Sequence, residues 1–157
     1  MTSIKEATFG EISSHYTLAP TEHHALAKAL GGDIAQILES EDLRADVAES
    51  VALSKAFLDA GISLPIHSFD GRFSSDSQGR HFIVSSAGWR HVLEEKLGPP
   101  KHIRSAHDLV GVHGIVVFCS NAKGIDEIVL WDKNEALLNP NVDFSEARGG
   151  TYLWPLP

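Results

Sequence analysis

Apolar residues recur at helical spacing through the first third of the chain. Ala25, Leu26, Ala29 and Leu30 follow Pro20-Thr21-Glu22, which predicts a helix with Thr21 as its N-cap. Gly31-Gly32 breaks that helix, and Asp33 is placed to cap a second, short one through Ile34, Ile37 and Leu38. A third helix is expected from about Asp46 to Ala60. Val47, Val51, Ser54 and Leu58 share one face of it, Phe57 lies beside them, and Gly61 stands where a left-handed C-cap is wanted.

The pattern then changes. Residues from Ser68 to Arg80 are polar and contain glycine, so they are expected as a surface loop. Phe82-Ile83-Val84 is a short strand, and Ser86 can cap a helix carrying Trp89, Val92, Leu93 and Leu97, stopped by Gly98-Pro99-Pro100. Gly114 to Cys119 is a β-branched apolar run that suits a strand buried on both faces. Ile125 to Trp131 and Thr151 to Trp154 read as two more strands. Helices first and an antiparallel sheet afterwards make an α+β fold.

A chain of 157 residues is one ordinary domain, 1–157, with room for a full core. Asp plus Glu (21) exceed Lys plus Arg (13), and the net charge of −8 argues against an extended nucleic-acid-binding surface. One cysteine, Cys119, excludes an internal disulfide and a cysteine-rich zinc site. The longest apolar run, Ile115 to Cys119, is far below the roughly 20 residues that span a bilayer. Met1 to Glu6 carries no secretion signal, so the protein is expected to be cytoplasmic as synthesised, and any export to use a route that reads none.

Several short motifs together resemble the fourth family of type VI secretion amidase effectors, papain-like enzymes that cut peptidoglycan peptides. The family's Gly-Gly turn is matched by Gly31-Gly32. Its catalytic-helix register is held by Val51, Leu53, Ser54, Phe57 and Gly61. A Gly-x-Pro is matched at Gly98-Pro99-Pro100, a Gly-Ile strand at Gly114-Ile115-Val116-Val117, and the end of the histidine strand at Leu130-Trp131-Asp132. The closing motif is matched by Trp154-Pro155-Leu156-Pro157. The resemblance implies N-terminal helices on an antiparallel sheet, a toxin-like role, and an immunity or inhibitor protein as partner.

The same register puts Glu49 where the family has its nucleophilic cysteine and Glu127 where it has its histidine, with Ala52 for the helix arginine and Asp126 before the histidine position. A carboxylate cannot replace a thiolate as nucleophile toward an amide, so peptidoglycan amidase activity is not expected. Two readings stay open. Either the site has decayed and the protein acts by binding or in defence, or it is a carboxylate-based hydrolase of ribonuclease or glycosidase type using Glu49 and Glu127. The second reading allows a divalent cation, with Asp126 as a ligand. Of the nine histidines, His81 and His113 flank predicted strands and are the first candidates to complete an acid–base pair. Cys119, within an apolar run, reads as core. Lys101-His102-Ile103-Arg104 reads as a solvated face, and Trp89, Trp131 and Trp154 as core.

Overall fold

The computed structural model describes residues 3–16, 23–65, 73–119, 126–137 and 149–157. The Thr21 cap expected from sequence lies outside these residues. An unexpected helix precedes it: α1, Phe9–Tyr16, opens on a Thr8-x-x-Glu11 pair in which Thr8 Oγ1 accepts from Glu11 N–H and donates to Glu11 Oε1. Ile12 and Tyr16, one turn apart, are its buried residues. Helix α2, His23–Leu30, buries Leu26, Ala27 and Leu30, and α3, Gly32–Leu38, buries Ile34 and Leu38.

Gly31 is the N-cap of α3 and Gly32 its first residue, so Asp33 lies inside the first turn rather than capping it. The glycines do more than interrupt a helix. Ser77 N–H donates to Leu30 C=O at 2.8 Å, and a Cβ on Gly32, whose φ is +63°, would stand 2.6 Å from the Asp76 carbonyl carbon. Only glycine lets that turn dock there.

Helix α4, Ala45–Asp59, was expected to bury one face, yet every residue from Ser50 to Ser54 is buried while Val47 and Leu58 are only half so. It is packed by α1, by α5 and by strands, and a helix enclosed on several sides needs no single apolar stripe. Strands β1, Phe73–Ser75, and β2, His81–Ile83, form an antiparallel hairpin in part of what was expected as loop. Asp76 holds its turn, with Oδ1 accepting from Gln78 N–H and Arg80 N–H at 3.1 and 2.8 Å. Helix α5, Ser86–Leu97, is capped by Ser85, whose Oγ accepts from Gly88 N–H; Ser86 is its first residue.

The basic run at 101–104 contributes an edge strand, β3, Lys101–Ile103, exposing Lys101 and His102 and burying Ile103. Strands β4, Val112–Phe118, β5, Glu127–Lys133, β6, Glu135–Ala136, and β7, Thr151–Pro155, complete an antiparallel sheet of order β3-β7-β4-β5-β6. Gly114 is required where β7 crosses β4, because a Cβ there would meet the Trp154 carbonyl oxygen at 2.3 Å. The larger apolar cluster joins the helices to one sheet face through Ile115, Val117, Ile128 and Leu130, and a smaller one around Val116, Phe118 and Val129 covers the other. Trp89 and Trp154 are core as expected, whereas Trp131 is half-buried with its Nε1 donating to Leu109 C=O. The chain is a single α+β domain.

Candidate functional site

The site lies along one edge of β5. In an antiparallel ladder, alternate residues turn N–H and C=O away from the partner strand. β5 pairs with β4 from Glu127 to Lys133, whereas β6 covers its other side only at Trp131 and Asp132. The outward N–H groups of Ile128 and Leu130 therefore need other acceptors. Glu49, in the second turn of α4, supplies one: Ile128 N–H donates to its Oε1 at 3.3 Å. Tyr16, at the end of α1, supplies the other through its phenolic oxygen and the Leu130 backbone. Leu137 N–H closes the row by donating to Leu130 C=O at 2.8 Å. Burial, and then the neighbouring Glu49 carboxylate, push the Tyr16 phenol far above its ordinary range.

Glu49 is thereby brought to the backbone of the residue after Glu127, and Asp126 precedes both on the same strand end. All three carboxylates are half-buried. Asp126 Oδ2 lies 3.5 Å from Ser86 Oγ. Ser86 in turn donates from its hydroxyl and its N–H to Asp46 Oδ2, at 3.0 and 3.2 Å. Asp46, in the first turn of α4, is 1% exposed, and its carboxylate lies against the N-terminus of α5, where the helix dipole favours a negative charge. Arg44 Nε stands 3.0 Å from Asp46 Oδ1 as an ion pair outside hydrogen-bond alignment. A polar seam thus runs from Arg44 through Asp46 and Ser86 to Asp126.

The two candidate histidines lie elsewhere. His113 pairs with Asp132, five positions along β4 from the Phe118 that faces Glu127, or about 17 Å at the rise of an antiparallel strand. Its ring stacks on Phe9 with centroids 4.5 Å apart, and its buried Nδ1 has no hydrogen-bond partner among the described residues. His81 is exposed on the separate hairpin, with Nδ1 3.4 Å from Ser75 Oγ. Cys119 is buried at the end of β4, its backbone paired with Gly149 and Gly150. Burial raises its thiol, Arg90 pulls it down, Asp126 pushes it up, and the balance is upward. A thiol so held stays protonated at neutral pH. Among the described residues, no group of three or more His, Cys, Asp or Glu side chains is arranged to hold a metal ion. No helix among them is long and apolar enough to cross a membrane.

Tyr16, Asp46 and Ser86 are not among the site residues expected from sequence, where Ser86 reads only as a helix cap and Asp46 only as a helix start. The Thr8-x-x-Glu11 signature was a local signal for α1 and hence for Tyr16. Nothing local marks the other two, because their partners lie 40 residues away.

No protein-family model and no characterised protein matches the chain in sequence. Solved structures match its fold. The type VI effector Tae4 from Enterobacter cloacae superposes with a TM-score of 0.77 at 16% identity, over 100% of both chains. A chain of the Tae4/Tai4 effector–immunity system from Salmonella typhimurium gives 0.76 at 16% identity, over 96% of this chain and 98% of that one. A chain of the Tae4–Tai4 complex from Enterobacter cloacae gives 0.75 at 16% identity, with the same coverage of 96% and 98%. The α+β domain assembled around the β5 edge therefore has the fold of these Tae4 effector structures.

Proposed function

We propose that this protein is an effector- or toxin-like protein on the cysteine-amidase fold that acts by binding or in defence and does not cleave peptidoglycan amides. One observation carries the reading. Glu49, at the position that the motif register gives to the nucleophile, spends a carboxylate oxygen on Ile128 N–H beside Glu127, the position given to the histidine. A carboxylate clamped to a strand edge supplies neither the thiolate nor the imidazole that acyl transfer of this type needs. Cys119, buried and with its thiol raised, does not replace it. Two of these Tae4 neighbours are solved as effector–immunity systems with Tai4, which supports an immunity-type protein as partner of this chain. Incubation with muropeptides, followed by mass spectrometry, is expected to give no amide product. Efficient cleavage blocked by a thiol reagent would overturn both the reading and the motif register.

Glu49 and Asp126 come to the strand end whose first residue is Glu127, which favours a second reading, a carboxylate-based hydrolase of ribonuclease or glycosidase type. Glu49 would be the base and Glu127 the acid. The native protein would then hydrolyse ribosomal RNA or a glycan, and Glu49→Gln and Glu127→Gln would each abolish it. Absence of hydrolysis by the native protein rejects this reading.

A further inference from the structure

The protein carries 21 acidic residues against 13 basic ones; of its four described arginines, Arg44 and Arg80 are engaged with carboxylates and Arg104 is exposed. Arg44 meets Asp46, and Arg80 bridges Asp59 and Asp76. Arg90 differs. It projects from α5, is half-buried, and makes no ion pair or hydrogen bond among the described residues. Its guanidinium carbon lies 5.7 Å from the centroid of the Tyr152 ring. That ring is stacked on His102 with centroids 5.1 Å apart and an interplanar angle of 20°. Tyr152 and His102 are directly opposed across β7 and β3, so the sheet register sets their spacing.

A guanidinium presents five donors in a planar fork suited to an oxyanion, and leaving it half-buried without an acceptor is costly. The cation–π contact orients the group against Tyr152 without using its N–H donors in the ring plane. The Arg90 and Asp126 charges both act on the thiol of Cys119, which follows directly on β4. Nearby acidic side chains disfavour a doubly charged ligand more than a singly charged one.

We infer that Arg90, with Tyr152 and His102, forms a subsite for a carboxylate group, beside the acidic strand end and separate from Glu49. Arg90 takes the two carboxylate oxygens through its fork, Tyr152 holds the guanidinium plane, and His102 holds Tyr152. The subsite stands whether the β5 edge binds or hydrolyses.

Nuclear magnetic resonance on the whole protein tests this, with sodium acetate as one probe and inorganic phosphate as the other at constant ionic strength. Acetate is expected to shift the Arg90 Nε–H and Tyr152 amide signals saturably, leaving Arg44 and Arg104 unmoved. Arg90→Gln should weaken that binding about tenfold or more, the effect of losing a charge-assisted pair. Arg90→Lys keeps the charge and loses the fork, and should recover only part of the affinity. His102→Ala, at an exposed edge position, should weaken acetate several-fold while preserving a folded spectrum. Unsaturable shifts spread over all arginines, or unchanged acetate binding in Arg90→Gln and His102→Ala, would overturn the subsite. Tighter binding of phosphate than acetate would overturn the carboxylate assignment.

Discussion

Glu49 is the residue on which the functional reading turns, and its role as a clamp can be separated from a role as a base. Gln keeps an acceptor for Ile128 N–H, whereas Ala leaves that donor without one. Glu49→Ala is expected to lose about 1–3 kcal/mol, the cost of an unsatisfied buried N–H, and Glu49→Gln to stay within about 0.5 kcal/mol of the native protein. Urea denaturation checks both. Equal stability for all three proteins would show that the carboxylate bears no structural load at the strand edge. The histidines teach the converse. His113 flanks a predicted strand, but a strand displaces a side chain by its whole length, and the His113 ring is stacked on Phe9. His81 belongs to another sheet altogether.

At the scale of elements, α4 is joined to its neighbours by polar contacts placed inside the core. The Ser54 hydroxyl lies 2.9 Å from both Ser50 C=O and Ile83 C=O, and accepts from Ile83 N–H at 3.0 Å. It therefore satisfies the backbone of β2 at a buried position. Ser54→Ala is expected to destabilise the protein by about 2 kcal/mol through the orphaned Ile83 N–H, with little change in the slope of a urea curve. A loss below about 0.5 kcal/mol would mean that Ile83 finds another partner. Trp89 Nε1 donates to Ser50 C=O on the same helix, so α5 is fixed to α4 through a second side-chain-to-backbone bond. The charged counterpart lies at the far end of α4. Burial pulls the Asp59 carboxyl up, but Lys55 and Arg80 together outweigh it and hold the group below its ordinary range.

Over the whole molecule, these groups set the pH range of the fold. Tyr16 and Cys119 are both raised, by burial first. Unfolding lets each lose its proton at its ordinary value, about 10 for tyrosine and 8.5 for cysteine, while the folded state still holds it. The unfolded state then binds fewer protons, and stability falls as pH rises through that region. Thermal melting between pH 7 and 11 is expected to show that decline. Tyr16→Phe should cost about 1 kcal/mol at pH 7, for the lost bond to Leu130, and flatten the decline above pH 10. Parallel curves for the two proteins would show that Tyr16 is not the linked group. Asp59 acts in the opposite direction, giving stability above its unfolded value that is lost on acidification.

The sequence by itself determined the α+β class, α2 to α5 to within a few residues, the central strand β4 and the acidic character of positions 49, 126 and 127. Each is written in local periodicity, in punctuation by glycine and proline, or in residue identity. The motifs also pointed to the effector fold that the structure shows. Tertiary structure alone decided the rest. Whether Glu49 faces water or a strand depends on β6 being too short to cover β5, which no local pattern encodes. α4 looks like a one-sided amphipathic helix because periodicity counts apolar residues, whereas Ser54 is buried with its hydroxyl bonded to the β2 backbone and Ser50 is buried where its carbonyl accepts from Trp89. β3 was hidden because an edge strand of this length buries one residue and exposes charges. The partners of Asp46, Ser86 and Arg90 come from distant segments, so their roles exist only once helices and sheet are brought together.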